Sequence, residues 1–293
     1  MKYKVQEVIF KNASEPLGTK EKYWIIDNKT NIQSLFKIGR ENTGEDWAEK
    51  VAYEIGYKIG LPVAEYELAI YEDTQGTLSK SFVKENDRLI HGNELLAKVD
   101  KNYPIDRFYK VREYKLETVL NLMKILQIKH NIKDALHNFI GYIIFDCLIA
   151  NQDRHHENWG FILSGKIISL APSYDHASGF GCKVSDDEIR KRLNTKDKNY
   201  DIKAFCKKAK TPFYDFQSNK INTIKSCEIV IDYDKASFCY WLDKISSIDD
   251  NVYVDIFSKI PDEFISKMSI KFAIKVIKEN KQRLIMLKNK VCN

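Results

Sequence analysis

The spacing of apolar side chains in the first eighty residues is typical of β-strands. Four short segments combine apolar positions with β-branched and aromatic residues: residues 22–26, 32–38, 66–71 and 78–83. The first two segments are separated by a polar stretch at residues 27–30, and the last two by one at residues 73–76. The composition of both stretches favours a tight turn. The pattern therefore predicts two β-hairpins near the start of the chain.

A single helix is predicted between the two hairpins. Trp47, Val51 and Ile55 recur at every fourth position, which places them on one face of a helix. The sequence TGED, which begins at Thr43, resembles a capping box in which a threonine side chain caps the first turn. Gly60, followed by Leu-Pro, is expected to end this helix.

Beyond residue 84 the pattern becomes mainly helical. Residues 98–115 are charged, rich in tyrosine and without a clear period, which predicts a loop or a mobile insert. Further elements follow in order: helices at residues 116–128 and 133–150, a hairpin at 159–163 and 166–170, and helices with charged connections from residue 186 onward. The sequence therefore predicts a bilobal α+β fold, with a small β-rich N-lobe at residues 1–83 and a larger α-helical C-lobe at residues 84–293.

Composition narrows the class of protein. The chain has 293 residues, of which 44% are hydrophobic and 30% are charged, so disorder and a coiled coil are poor fits. Its formal charge of +6 is compatible with an anionic partner, although most of its lysines are expected to solvate the surface.

Cysteine usage and apolar runs indicate where the chain is made. The six cysteines are scattered without a CxxC pair and are expected to be reduced thiols of a cytosolic protein. The N-terminus has no signal-peptide pattern, and the most apolar run, residues 139–150, is too short to span a membrane and contains Asp146. We therefore expect synthesis in the cytoplasm, without a signal peptide and without a transmembrane segment.

The densest group of polar side chains lies between the most apolar helix and the last hairpin. Residues 150–160 read ANQDRHHENWG, with Asp153 and Asn158 in the order D-x-x-x-x-N, and Asp175 follows the hairpin. In phosphoryl transfer by protein kinases, such an aspartate orients or deprotonates the nucleophile, while the asparagine and a later aspartate hold Mg²⁺. Two protein oxygens are enough for Mg²⁺, because phosphates and water supply its other ligands.

Three other interpretations of this loop are open. A zinc hydrolase could use Asp153, His155 and His156, although adjacent histidines on a loop do not converge on a metal as an HExxH pair does. A histidine base for acyl transfer would need a nucleophile, and the sequence has no G-x-S-x-G elbow. The loop could also be structural, with polar side chains that only satisfy backbone groups.

Several motifs together resemble the HipA-like serine/threonine kinases. Residues 151–158 (NQDRHHEN) and 170–175 (LAPSYD) are similar to the catalytic and metal-binding loops of that family. Residues 36–38 and 48–68 are similar to its strand with the ATP lysine, its helix with the partner glutamate and the strand that follows. Residues 18–20 stand where the family has its phosphate-binding loop. The small size of the chain is closest to the cell-translocating kinase (CtkA) type.

The resemblance implies roles for individual residues. Asp153 would be the catalytic base, supported in its loop by Arg154 and His155, and the Mg²⁺ ligands would be Asn158 and Asp175. The ATP-binding residues would be Lys37 with its partner Glu49, the phosphate-loop residues Gly18, Thr19 and Lys20, and the segment between the lobes, Ser81, Phe82 and Val83. The chain lacks the H-R-D, D-F-G and A-P-E motifs, so the resemblance does not extend to regulation by an activation loop.

The implied activity is phosphorylation of serine or threonine in a protein substrate, with ATP and Mg²⁺ as cofactors and autophosphorylation as a family expectation. The D-R-H-x-x-N order is shared with phosphoinositide kinases, so a lipid headgroup or a small alcohol is an alternative acceptor. A weaker alternative is a non-catalytic basic module that binds nucleic acid or an acidic membrane, based on the C-terminal lysines Lys267, Lys271, Lys275 and Lys278. Direct binding of nucleic acid is not expected. Signal-independent secretion into host cells would be consistent with the resemblance alone.

Overall fold

The structure is a computed structural model that describes residues 1–8, 13–14, 21–26, 33–107 and 109–292. The first predicted turn, residues 27–30, lies outside these described residues. Strands are concentrated near the N-terminus and helices predominate after residue 115, so the α+β prediction is confirmed.

The N-terminal part is a six-stranded sheet with one helix packed on it. Its strands are β1 (Gln6–Val8), β2 (Ala13–Ser14), β3 (Lys22–Ile26), β4 (Gln33–Ile38), β5 (Tyr66–Tyr71) and β6 (Thr74–Lys80). They lie in the order β1-β5-β6-β4-β3-β2, and every pair is antiparallel except β1 with β5. The two predicted hairpins are confirmed as the antiparallel pairs β3 with β4 and β5 with β6.

The second hairpin turns earlier than the sequence pattern suggested. Residues 72–73 alone form the turn, because Tyr71 already pairs with Thr74. Gly76 therefore lies inside β6, where a Cβ atom would stand 2.4 Å from the carbonyl oxygen of Lys37. The absence of a side chain at this position permits the close approach of β4, and it does not serve the turn.

Helix α1 (Glu45–Ile59) forms as predicted but begins differently. Gly44 occupies the N-cap position and no side chain caps the helix, while the hydroxyl of Thr43 donates to the carbonyl oxygen of Arg40 at 2.6 Å. The predicted capping box is therefore wrong, because Thr43 lies one residue before the cap. Gly60 ends the helix as predicted, with a φ of 75° that glycine adopts without strain.

A three-stranded sheet leads into the larger part. Its strands β7 (Arg88–His91), β8 (Gly160–Ser164) and β9 (Ile167–Leu170) lie in that order, and β8 with β9 is the last predicted hairpin. Strand β7 and the helix after it, α2 (Gly92–Val99), were not predicted, because both are short and lack a clear apolar period. Residues 100–107 and 109–115 are irregular, as expected, but the buried Tyr103 and Tyr114 anchor them.

The larger part is helical and is built around one apolar helix. Its helices are α3 (Leu116–Lys129), α4 (Ala135–Ile149), α5 (Asp186–Asn194), α6 (Ile202–Lys208), α7 (Thr223–Ile231), α8 (Lys235–Ser247), α9 (Asp250–Ser258) and α10 (Lys267–Val291). A short hairpin of β10 (Lys210–Tyr214) and β11 (Lys220–Asn222) was not predicted. Helix α4 is buried along most of its length against α3, α7, α8 and α10. None of the described helices is both long and apolar enough to cross a membrane.

Aromatic contacts join α1 to the helical part. The ring of Trp47 lies 6.1 Å from that of Phe180 and 5.9 Å from that of Phe257 in α9. At the start of α1, the backbone N–H of Gly44 donates to the carbonyl oxygen of Cys182 at 2.8 Å. Helix α1 is therefore held between the sheet and α9, at the junction of the two parts of the fold.

The cysteines do not all remain reduced. Cys239 of α8 is bonded to Cys292, which follows α10, whereas Cys147, Cys182 and the two other cysteines are buried free thiols. The expectation of reduced thiols is therefore wrong for this pair. The two residues are 53 positions apart, and only the packing of α10 against α8 brings them together.

We expect loss of this disulfide to lower the stability of the protein. A bond that closes a loop of 53 residues restricts the unfolded chain, which contributes on the order of 2–4 kcal/mol. Urea denaturation of the wild type with and without dithiothreitol, and of the Cys239→Ser variant, measures the effect. The variant should unfold at the urea concentration of the reduced wild type and should not respond to dithiothreitol. A wild type that does not respond to dithiothreitol either would contradict the bond.

Candidate functional site

A cavity of about 810 Å³ lies between the sheet and the helical part. Eight of the residues singled out from the sequence line it: Lys37, Ser81, Phe82, Val83, Asp153, His155, Asn158 and Asp175. Glu49 and Arg154 lie behind its wall and contact lining residues through hydrogen bonds. Gly18, Thr19 and Lys20 lie outside the described residues. The fold therefore brings together candidate residues that are more than a hundred positions apart.

Lys37 of β4 is a buried cation in the cavity wall. Its Nζ atom lies 3.5 Å from Oε1 of Glu49, 3.2 Å from the hydroxyl of Tyr66 and 3.7 Å from Oδ1 of Asp175. Burial by itself would lower the pKa of the ammonium group, but Asp175, Tyr66 and Glu49 raise this pKa well above its ordinary value. Lys37 is therefore charged at neutral pH.

Glu49 of α1 links this lysine to the loop that carries Asp175. One carboxylate oxygen of Glu49 faces Lys37, and the other accepts a hydrogen bond of 2.8 Å from the backbone N–H of His176. The Glu49 side chain is buried, with only 2% of its surface exposed. The helical pattern alone could not distinguish it from the other acidic residues of α1, and only the family resemblance selected it.

The segment after α4 presents Asp153 and Asn158 to the cavity. Helix α4 ends at Ile149, and the next residue, Ala150, has a left-handed backbone with a φ of 54° that turns the chain out of the helix. The backbone N–H of Asp153 donates to Oδ1 of Asn151 at 3.3 Å, and Nδ2 of Asn158 donates to the Asp153 carbonyl oxygen at 2.6 Å. These bonds fix the loop through the backbone of Asp153 and the amide nitrogen of Asn158. They use neither the Asp153 carboxylate nor the Oδ1 atom of Asn158.

Tyr66 of β5 supports both Lys37 and Asp175. The Tyr66 hydroxyl accepts a hydrogen bond of 3.2 Å from the backbone N–H of Asp175, whose φ of 59° lies in the left-handed region. Its ring centroid is 5.2 Å from the Nζ atom of Lys37. Burial raises the pKa of Tyr66 to about 12, so the phenol stays protonated at neutral pH. Tyr66 was not predicted from the sequence, because it has the pattern of an ordinary strand residue.

A buried arginine connects the two acidic loops of the cavity. The Arg154 guanidinium forms a bidentate pair with Asp146 of α4, with two N–O distances of 2.8 Å. Its Nη1 atom donates to the carbonyl oxygens of Asn158 at 2.8 Å and Tyr174 at 3.2 Å. Because Tyr174 precedes Asp175, one guanidinium holds both loops. In the sequence, Asp146 stands out as a lone carboxylate inside an apolar helix, which was the signal for a buried partner.

His176 completes this buried network as a neutral side chain. Its Nε2 atom lies 2.7 Å from the hydroxyl of Ser173 and 3.1 Å from Nη2 of Arg154. Burial, reinforced by the charge of Arg154, lowers the pKa of His176 well below its ordinary value. A neutral imidazole can accept a hydrogen bond from Arg154, whereas an imidazolium at this distance would repel it. Neither Ser173 nor His176 was singled out from the sequence.

The geometry contradicts the zinc interpretation of this loop. His156 is buried with its Nδ1 atom 2.7 Å from the hydroxyl of Tyr103, and burial lowers its pKa to about 4. His155 lies in the cavity wall, where its Nδ1 atom accepts from the backbone N–H of Glu157 at 3.2 Å. Within the described part of the chain, no three His, Cys, Asp or Glu side chains converge as a metal-binding group. The adjacent histidines therefore occupy separate environments.

Residues 81–83 leave the sheet after β6, so the predicted strand through residue 83 is wrong. The Ser81 backbone N–H donates to the carbonyl oxygen of Gln33 at 2.9 Å. The Ser81 hydroxyl then donates to the carbonyl oxygen of Val83 at 2.7 Å and accepts from its N–H at 3.2 Å. This local turn ends the strand. The ring of Phe82 packs 5.5 Å from that of Tyr174, across the cavity wall.

Comparison with known families identifies the chain. The model of the HipA-like C-terminal domain family matches residues 4–235, which is most of the sequence. The chain belongs to the HipA-like C-terminal domain family. No curated protein sequence matches it. The resemblance found in the motifs is therefore confirmed at the level of the family.

Solved structures show the same fold for this HipA-like chain. It is similar to the Helicobacter pylori proinflammatory kinase CtkA, with a TM-score of 0.74, 20% sequence identity and coverage of 97% of both chains. It is also similar to a chain of the Shewanella oneidensis MR-1 toxin–antitoxin complex of HipA, HipB and operator DNA, with a TM-score of 0.59 and 11% identity. That second match covers 93% of this chain and 64% of the other. The bilobal, kinase-like α+β fold is confirmed.

Proposed function

We propose that this protein is an ATP- and Mg²⁺-dependent serine/threonine protein kinase of the HipA-like type. The observation that carries the proposal is the convergence of a buried, charged Lys37 with Asp153, Asn158 and Asp175 around one cavity. Phosphoryl transfer depends on positioning and charge neutralisation more than on covalent chemistry, and these residue types supply both.

Lys37 is proposed to bind the phosphates of ATP. Its contact with Glu49 fixes the direction of the ammonium group, and its high pKa keeps the charge at neutral pH. Gly18, Thr19 and Lys20 are proposed to complete the phosphate site. Backbone groups of Ser81, Phe82 and Val83 are proposed to meet the adenine edge, and the boundary between an N-lobe at residues 1–83 and a C-lobe at residues 84–293 would follow this segment.

Asn158 and Asp175 fit a magnesium ion by their donor chemistry. Both offer hard oxygen atoms at the cavity wall, and Arg154 holds the backbones of their two loops together. Mg²⁺ commonly takes one or two protein oxygens together with phosphate and water. When bound, the ion would neutralise phosphate charge and orient the transferred group.

Asp153 is proposed to orient the acceptor hydroxyl and to take its proton. Its carboxylate lies in the same cavity wall as the metal ligands, and the backbone bonds to Asn151 and Asn158 keep it in place. Arg154 and His155 are proposed to support this loop. The acceptor is proposed to be a serine or threonine of a protein, including one of this chain itself.

Incubation of the purified protein with γ-labelled ATP and Mg²⁺ tests the proposed activity. Mixed protein substrates and phosphoinositide vesicles are supplied in parallel, and phosphoamino-acid analysis identifies the acceptor. We expect label on serine or threonine of protein. Label found only on lipid would replace the protein-kinase assignment by a lipid-kinase one, and the absence of transfer to every acceptor would contradict both.

We expect the Asp175→Asn variant to need more Mg²⁺ than the wild type. The substitution removes the charged ligand with little change of shape, so the Mg²⁺ concentration for half-maximal transfer should rise by roughly tenfold or more. Titration of the initial rate with MgCl₂ measures this. Asp106→Asn, which removes an exposed carboxylate from the same cavity, is the matched control and should keep the wild-type requirement. An unchanged requirement in Asp175→Asn would rule out its ligand role.

A further inference from the structure

The positive charge of this protein is concentrated in one segment. Residues 189–210 contain nine lysines and arginines and two aspartates, which is a net charge of +7. The whole chain has a net charge of +6, so the other residues together are close to neutral. Helix α5 itself begins with three acidic residues, Asp186, Asp187 and Glu188, so residues 186–210 as a whole carry a net charge of +4, and the positive excess lies in the lysines that follow these acids.

Seven lysines of this segment are exposed and are not neutralised. The two arginines pair with acids of α5, Arg190 with Asp187 and Arg192 with Glu188. Within the part of the chain that the structure describes, none of the seven lysines forms an ion pair with a carboxylate. We define these seven exposed lysines as the basic surface: Lys191, Lys196, Lys198, Lys203, Lys207, Lys208 and Lys210. A surface of this kind attracts an anionic partner over a distance of about one Debye length.

The two aspartates within the segment accept hydrogen bonds from backbone N–H groups. Asp201 accepts from the backbone N–H of Ala204 at 2.8 Å and caps α6, and Asp197 accepts from that of Asn199 at 2.8 Å. Their carboxylates therefore organise the connection between α5 and α6 and do not pair with the lysines. The charges of the seven lysines are therefore not compensated by these aspartates in the folded protein.

The basic surface stands on a rigid support. Ile189 of α5 and Cys206 of α6 belong to one buried cluster with Phe272 and Val276 of α10. The guanidinium of Arg192 also donates to a backbone carbonyl in the connection, at Tyr200, over 3.1 Å. A partner would therefore meet lysines whose backbone positions are already fixed, which reduces the entropy lost on binding.

The basic surface borders the loop that carries Asp153. The backbone N–H of Lys210 donates to Oε1 of Gln152 at 3.3 Å, and Gln152 immediately precedes Asp153. Ala150, where this loop begins, packs in the same buried cluster as α5 and α6. The Lys210 end of the basic surface is therefore joined to the residue that precedes Asp153, the proposed proton acceptor.

We propose that the basic surface docks an acidic segment of the protein acceptor. This inference rests on the proposed function, because it assigns the partner of the same site. Residues 189–210 include no large exposed apolar side chain that could insert into a membrane, and their unpaired cations are all lysines. Arginine and exposed aromatic rings are the groups that nucleic-acid surfaces usually combine with lysine. An acidic polypeptide needs only the array of charges that is present.

Binding of a fluorescent peptide of eight glutamates and two serines, followed by anisotropy without nucleotide, tests the docking. We expect the wild type to bind the peptide and to lose affinity as NaCl rises from 50 to 300 mM, because salt screens the lysines. The variant with Lys203→Glu, Lys207→Glu and Lys208→Glu should bind at least tenfold more weakly. The corresponding triple glutamine variant, which avoids new charges in α6, should lose part of this affinity.

A variant with the same change of charge elsewhere provides the control. Lys133→Glu, Lys166→Glu and Lys235→Glu alter three exposed lysines outside the basic surface and should keep the affinity within twofold. Equal losses in both triple variants would overturn the proposal, and so would binding of the wild type to phosphatidylserine vesicles or to a DNA duplex but not to the peptide.

Transfer to a short neutral serine peptide separates this inference from the proposed function. The charge-reversal variant should phosphorylate that peptide at the wild-type rate and should fail only with the acidic acceptor. If the wild type binds the glutamate peptide but transfers phosphate to no acceptor, the result contradicts both the kinase assignment and the proposal that the surface docks an acceptor. If transfer is normal and the peptide does not bind, only the docking inference is contradicted.

Discussion

The Asp153→Asn variant is expected to lose phosphoryl transfer by roughly 10²- to 10⁴-fold, the range that a positioned general base contributes. The hydrogen bonds that shape its loop use the backbone N–H and carbonyl oxygen of residue 153, and an asparagine preserves both. The substitution replaces the carboxylate that would take the proton by a neutral amide of similar shape. The affinity for ATP should therefore stay within a few-fold of the wild type.

Single-turnover transfer and equilibrium binding of a fluorescent ATP analogue separate the two effects. Asp106→Asn removes an exposed carboxylate from the same cavity and should leave both quantities near wild type. A transfer rate within tenfold of the wild type in Asp153→Asn would show that this carboxylate is not the base. An equal loss in Asp106→Asn would show that the cavity responds only to its total charge.

The second large effect is expected at Arg154, which holds the two acidic loops together. Arg154→Met leaves the buried Asp146 carboxylate without its partner, and breaking a buried ion pair in this way costs about 3–5 kcal/mol of unfolding free energy. The substitution also removes the donor to the carbonyl oxygens of Asn158 and Tyr174. We therefore expect both a lower stability and a weaker response to Mg²⁺.

A double variant distinguishes these two consequences. Asp146→Asn combined with Arg154→Met removes both buried charges and keeps an acceptor for the side chain of Asn151. The double variant should recover part of the stability measured by urea denaturation, because no unpaired charge remains buried. It should not recover the Mg²⁺ dependence, because the two loops still lack their common donor. Recovery of both quantities would mean that Arg154 only stabilises the fold.

Local sequence pattern was sufficient where an element depends on its own residues. The helices α1, α3 and α4 follow from apolar periods, and the hairpins follow from alternation around polar turns. The loop with Asp153 and Asn158 could be found because both residues belong to one short motif. Errors occurred at the ends of elements, where Gly44 replaced Thr43 as a cap and Ser81 turned the chain out of β6.

Partners that are distant in sequence could not be predicted from local pattern. The hydroxyl of Tyr66 lies 3.2 Å from both Lys37 and the backbone of Asp175, although 109 residues separate Tyr66 from Asp175. The disulfide between Cys239 and Cys292 has the same origin, since it depends on how two helices pack. Strand β7, helix α2 and the β10–β11 hairpin were too short for their pattern to be recognised.

By itself, the sequence determined the order of strands and helices, the segment that carries the acid and amide side chains, and the family. It also contained the cluster of lysines at residues 189–210, although composition showed only the total charge. The tertiary structure decided that Glu49 faces Lys37, that Arg154 holds the two acidic loops and that, among the described residues, the lysines beside the Asp153 loop form no ion pair. The physical reason is that periodicity and turn chemistry act over a few residues, whereas side-chain partners are set by packing between elements far apart in the chain.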